Sequence, residues 1–437
     1  MIRLFAALFA LLVAAPLQAA VEIKEVKSEG GLTAWLVEEP SIPFVALEII
    51  FKGGANLDPD GKRGVTSLMM ALIEEGAGDM DARGFATAQE ELAASFSFDA
   101  RDDSVSVSAK FLTENRDEAI ALLKTALSAP TFAPDAVERV RAQFLSIIRS
   151  DQTDPSKVAS RAFEAATYGD HPYATAREGT IESMSALTRE DLFAAHKGAM
   201  ARDRVYVGAV GDITGPELAE LMDTLLGDLP EEGLPQAQQA TYLPESGGVT
   251  VIDFETPQAT VIFGHEGIDR DDPEFFEAYV LNQALGGGNF SSRLMEEVRE
   301  KRGLTYGVYS YLVPADLGAL YLGSVASAND RVAEAIEVIK AEWAKAAEEG
   351  LTAEELERAK TYLTGAYPLR FDGNGRIANI LVGMQAQGLP IDYIATRNDR
   401  VEAVTLEGIR KVAKRILRPD DLRFVVVGKP VGLTSSP

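Results

Sequence analysis

The apolar run FVALEIIF (44–51) and the strictly alternating SVSVSAKF (104–111) carry the marks of strands. In NRDEAIALLKTAL (115–127) and TAQEELAAS (87–95) apolar positions instead recur every three to four residues, as on one face of a helix. The neighbouring segments in FSFDARDDSVSVSAKF read as a hairpin, so strands and helices in sequence predict a largely antiparallel sheet with helices layered on one face. VREKRGLTYGVYSYL (298–312) is a charged helix end that turns at Gly303. Strict alternation beyond it sets Leu304, Tyr306, Val308, Ser310 and Leu312 on one side against Thr305, Gly307, Tyr309 and Tyr311 on the other.

The pattern occurs twice. LTREDLFAAHKGAMARDRVYVGAVGD, around Thr188, matches VTLEGIRKVAKRILRPDDLRFVVVGK, around Thr405. NRDEAIALLKTAL matches NDRVAEAIEVIKAEW, and DAVERVRAQF matches EELERAKTYL. The offset is roughly 217 residues, a domain-sized period far longer than a solenoid repeat. The expected organisation is α+β, two tandem homologous domains over 21–226 and 249–437. Residues 227–248, rich in Pro, Gln and acids, form a linker without apolar periodicity.

The first twenty residues, MIRLFAALFALLVAAPLQAA, have one early positive charge, a short apolar run and a small-residue end, which predicts a signal peptide (1–20) and an exported, periplasmic or otherwise extracytoplasmic, soluble chain. No other apolar stretch is long enough to span a bilayer. The 437 residues, 46% hydrophobic, can fill two or more cores, since one core stops growing beyond about 250 to 300 residues. Cysteine is absent, so packing rather than disulfides must hold them. A net charge of -25 argues against nucleic acid and anionic membranes as partners and suits solubility or cationic peptides.

The duplication, the export signal and the signature LGGGNFSSRLMEEVREKRGLTYGVYSY together resemble the M16 family of zinc metallopeptidases, the group of pitrilysin, insulysin and the mitochondrial processing peptidase. Arg299 and Tyr306 are spaced as the family's paired Arg and Tyr are. GDHPYATAREGT from Gly169 and FKGGANLDP in the first half add support. Catalytic members carry H-x-x-E-H, in which two His one helical turn apart bind Zn²⁺ and the Glu activates its water. In GVTSLMMALIEEG, aligned on Gly64 and Gly76, those positions hold Ser67, Met70 and Ala71, and the downstream Glu ligand aligns with Ser146.

His171, before Pro in a turn, His196, on an amphipathic helix, and His265, just after a strand, are far apart and carry no ligand spacing, so each is expected to serve structure. Glu74, Glu75, Asp79 and Asp81 read as a solvated acidic face, with weak Ca²⁺ binding a remote second reading. No catalytic metal is expected in this chain. LGGGNFSSRL lacks the residues of a phosphate loop, and the resemblance makes it a flexible entrance to the helix bearing Arg299.

The resemblance implies that Arg299 and Tyr306 complete an active site whose zinc sits in an HxxEH-bearing partner, forming a heterodimer that cleaves unstructured peptides. Two alternatives stand beside it. One is a non-proteolytic scaffold or peptide-binding homologue, the other a homodimer. On the structural side, Arg299 could pair with Glu296 or Glu300, and Tyr306 could pack a sheet face with its hydroxyl at the rim.

Overall fold

The computed structural model describes residues 22–243, 247–288 and 290–436, so the expected signal peptide lies outside the described residues. The first half contributes strands β1 (Lys24–Lys27), β2 (Thr33–Glu38) and β3 (Phe44–Lys52), a small hairpin of β4 (Gly76–Ala77) and β5 (Met80–Asp81), then β6 (Ser95–Ala100), β7 (Ser104–Leu112) and β8 (Val205–Gly211). Apart from the small hairpin these form one sheet, ordered β1-β2-β8-β3-β7-β6. The second half contributes β9 (Val249–Asp253), β10 (Gln258–Glu266), β11 (Thr305–Val313), β12 (Leu320–Ala328) and β13 (Arg423–Gly428), ordered β11-β12-β10-β13-β9. Read from β9, this repeats the first sheet without β1. Each sheet is antiparallel apart from one parallel pair, β2 with β8 and β9 with β13.

Each sheet has a core on the face that carries its own helices. Helices Val65–Leu72, Arg116–Ser128, Arg189–Ala199 and Gly215–Leu226 pack on the first sheet. Helices Phe275–Leu285, Val332–Glu349 and Leu406–Ile416 pack on the second. The polar residues that open these helices have local work: the Thr188 and Asp191 side chains each bond the other's backbone amide, satisfying donors the first helical turn leaves free.

The opposite face of each sheet is covered by a helix from the other half. Phe163 and Ala159 of helix Pro155–Tyr168 pack with Ile262, Val425 and Val427 of the second sheet. At the same place in the repeat, Ala378 and Leu381 of helix Asn374–Ala386 pack with Trp35, Ala46 and Val210 of the first. Strand β3 is thereby buried on both faces, which explains why FVALEIIF reads as a nearly continuous apolar run rather than an alternating one. Burying a Phe or Leu fully is worth about 1.5–3 kcal/mol. The exchanged helices therefore tie the halves together strongly.

The segment after helix Gly215–Leu226 has no helix or strand among its described residues until β9. It runs between the halves and bonds both: Gln238 O with His171 Nε2 at 2.9 Å and Leu243 N to Thr167 O at 3.0 Å on one side, Ala240 N to Leu317 O at 2.6 Å on the other. No helix among the described residues is long and apolar enough to cross a membrane. Strands β6 and β11 form the matching outer edges of the two sheets.

Candidate functional site

Ser67, Met70 and Ala71 lie on helix Val65–Leu72, whose start is tied by Asp58: its carboxylate accepts Gly64 N at 2.8 Å, Thr66 N at 3.1 Å and the Thr66 hydroxyl at 2.6 Å. Burial nevertheless holds the Asp58 carboxyl above the usual range, opposed by these donors and by Arg63. Ser67 is buried and its hydroxyl donates to Arg177 O at 2.7 Å. Met70 is wholly inside the first core, and Ala71 is half-buried against it. Helix Pro134–Asp151 packs on this helix, with Ser146 on its exposed side. Of the aligned positions, Met70 is taken up by apolar packing and Ser67 by a satisfied hydroxyl, and neither the half-buried Ala71 nor the exposed Ser146 carries an imidazole or carboxylate ligand.

The three histidines are committed to local bonds. His171 Nδ1 accepts Tyr173 N–H at 3.1 Å, leaving Nε2–H to donate to Gln238 O at 2.9 Å. His196 donates to Leu127 O at 2.8 Å, and burial lowers its pKa. His265, expected just after a strand, lies inside β10: Nδ1–H donates to Glu266 O at 2.7 Å and Nε2 accepts the Trp343 indole N–H at 3.0 Å. Burial pushes its pKa down to about 4. The acidic cluster divides its work, Glu75 pairing with Arg139 and Asp81 accepting Gly84 N at 2.8 Å to start a helix. Among the described residues no group of three or more His, Cys, Asp or Glu is arranged to hold a metal ion.

Gly286, first of the glycine run after helix Phe275–Leu285, lies tightly on β11. Gly286 O accepts Ser310 N–H at 2.8 Å, and a Cβ at Gly286 would stand 2.4 Å from Ser310 Oγ, so only glycine permits the approach. The following helical segment widens into a π turn over Met295–Glu300, with Lys301 N–H donating to Glu296 O at 2.9 Å. Met295 and Val298 face the core and Arg299 faces out. Its guanidinium lies 4.5 Å from the Phe290 ring centre and 5.0 Å from that of Tyr306, and its Nε is 3.5 Å from Glu300. Its two Nη groups make no hydrogen bond to a described residue.

Tyr306 is 84% exposed, and among the described residues its hydroxyl has no partner. Here the strict alternation fails. Val308 and Ser310 are in the core while Tyr306 is in solvent, because the pairing with β12 slips between Thr305 and Val308. This is a β-bulge. Phe290 beside Arg299 is an addition to the residues expected from the sequence, where its one sign is an aromatic residue in a glycine run. The structure thus brings Arg299, Tyr306 and Phe290 together on the second sheet's outer edge. Ser67, Met70, Ala71 and Ser146 gather in the first half, and among the described residues no hydrogen bond, ion pair or ring contact joins the two sets.

Comparison with known proteins decides the relationship. The family described as "Insulinase (Peptidase family M16)" matches residues 34–181, and the one described as "Peptidase M16 inactive domain" matches 186–363. The chain belongs to the M16 peptidase family. Among M16 relatives it is 28% identical over 396 residues to the "Non-peptidase homolog YmxG" of Helicobacter pylori, covering 89% of this chain and 90% of that protein. It is 26% identical over 401 residues to an uncharacterized zinc protease of Streptomyces coelicolor, covering 89% and 86%. The crystal structure of a "peptidase M16 inactive domain" from Pseudomonas fluorescens superposes with a TM-score of 0.88 at 29% identity, covering 95% of this chain and 99% of that one. Within M16 this chain departs from the catalytic pattern, since H-x-x-E-H occurs nowhere in its sequence.

Proposed function

We propose that this M16 protein is the non-zinc subunit of an exported two-chain peptidase, which lends Arg299 and Tyr306 to the active site of an HxxEH-bearing partner and forms half of a chamber for unstructured peptides. The observation that carries this reading is the exposed, unpartnered phenol of Tyr306 beside a guanidinium with free Nη groups. A hydroxyl held in solvent contributes little to folding, whereas in a closed chamber it is a donor for the oxyanion formed when water attacks a peptide carbonyl. Arg299 can hold a substrate carbonyl or carboxylate with its planar fork. Zinc, in this reading, belongs to the partner.

The second reading is a non-proteolytic scaffold or peptide binder. The name of the Helicobacter relative and the filled face at Ser67 and Met70 favour it. Mixing separates the two. The mature chain and an HxxEH-bearing M16 chain from the same organism are assayed on unstructured peptides, alone and together, with the mass of the mixture measured. Cleavage that appears or rises strongly only in a mixed dimer supports the subunit reading. A partner equally active without this chain, or no mixed dimer, overturns it.

A further inference from the structure

We propose that Thr305 is a positioning residue that aims the Tyr306 side chain, an inference that rests on the proposed role of Tyr306. In the pairing of β11 with β12, Thr305 faces Ser327 and Val308 faces Val325, so Tyr306 and Gly307 share the space opposite Ala326 alone. Such a bulge leaves ladder groups without their regular partners, and unpaired backbone groups are costly. The Thr305 hydroxyl fills the gap. It accepts Gly307 N–H at 3.0 Å and stands 2.6 Å from Ala326 O and 2.9 Å from Gly307 O. With a single proton to give, it donates to the nearer Ala326 O, so a relay of two hydrogen bonds replaces the missing rung.

The flanks of the bulge are fixed as well. On one side, Ser327 Oγ donates to Leu304 O at 2.5 Å. On the other, Val308 N–H points at Met295 Sδ at 3.4 Å, and the Tyr309 ring lies over Gly307, where no side chain intervenes. Tyr306 itself is 84% exposed, and the Arg299 guanidinium 5.0 Å from its ring centre touches the ring rather than the backbone. That direction is set by its neighbours, and Thr305 is the one that bonds both strands across the bulge. A Val has nearly the same shape as Thr and keeps the β preference, but it leaves Gly307 N–H and Ala326 O without the relay.

The test uses the full mature chain with Thr305→Val, Thr305→Ser and Tyr306→Phe. Two quantities are read: amide exchange at Gly307 in the free chain, and kcat and KM of the dimer with an HxxEH-bearing M16 chain. Thr305→Val should speed Gly307 exchange about tenfold and lower kcat about tenfold with KM unchanged, the scale of one lost hydrogen bond. Thr305→Ser, which keeps the hydroxyl, should restore both. Unchanged Gly307 exchange in a folded Thr305→Val chain overturns the relay. Unchanged kcat in that variant, while Tyr306→Phe lowers kcat, overturns the positioning role. If Tyr306→Phe itself leaves kcat unchanged, the proposed function fails and the positioning role fails with it, while Gly307 exchange still decides whether the relay exists.

Discussion

The two halves of this protein share one strand order and have opposite fates at their conspicuous sites. In the first half, helix Val65–Leu72 has turned the positions aligned with the zinc motif into core: Met70 is fully buried and Ser67 spends its hydroxyl on Arg177 O. In the second half, the β11 edge keeps a phenol in solvent and a guanidinium with free donors, which packing does not explain. Packing has absorbed the first site, where reversing the substitutions would now cost stability. The second site is held open by a bulge and a π turn, two local departures from regular structure.

The largest effect should come from forcing the first half toward the H-x-x-E-H pattern of catalytic M16 members. Met70→Glu places a carboxylate in the first core, where Met70 is fully buried, a cost of about 3–5 kcal/mol. Urea unfolding should show that loss, and Ser67→His with Met70→Glu and Ala71→His should bind no zinc in the folded state. A stable triple variant with stoichiometric zinc by elemental analysis would mean that the first site is merely substituted and not filled.

The next effect is acid sensitivity, and it marks another difference between the halves. At the place of Phe51 in β3, strand β10 carries His265. Its folded pKa of about 4 lies below the ordinary 6.5, so below pH 6.5 the unfolded chain binds a proton that the folded chain refuses. Stability from this group is complete above 6.5 and is lost as pH falls toward 4, by roughly 3 kcal/mol. His196 acts in the same direction from the first half. Glu266, Arg418 and Asp421 also face His265, so the comparison is with His265→Gln, which keeps an acceptor for Trp343 and does not titrate. Wild type should lose more stability than the variant between pH 7 and 4.5. Equal losses would remove His265 from the acid response.

Arg299→Lys should have a smaller effect. The ammonium keeps the charge but loses both the fork and the flat contact with Phe290 and Tyr306, and the turnover of a mixed dimer should fall about 10- to 100-fold. Kinetics at equal dimer concentration check this, and an unchanged rate would assign Arg299 to ring packing alone.

Much of this architecture was legible in the sequence because it is written locally. The repeat and the hairpin of β6 and β7 follow from periodicity and spacing, and the signature around Arg299 from its resemblance to the M16 family. The exchange of helices Pro155–Tyr168 and Asn374–Ala386 was not legible, because an amphipathic pattern fixes which face is buried and says nothing of which half buries it. The bulge was missed because strict alternation was carried through Gly307, although a lone glycine inside a strand pattern is the available sign of one. His265 was placed after its strand for want of any signal that Trp343 would satisfy it there.

The central claim is that this chain acts through the β11 edge and not through the helix of the lost motif. The most direct measurement is the turnover number of a dimer assembled from an HxxEH-bearing M16 chain and Tyr306→Phe, at equal dimer concentration and with assembly measured separately. Loss of one hydroxyl that has no partner among the described residues should leave folding and assembly unchanged. It should lower turnover by about one hundred to one thousandfold, the cost of removing one donor to a developing oxyanion. A fully assembled Tyr306→Phe dimer that cleaves peptides at the wild-type rate would contradict the account and leave this chain as a wall of the chamber.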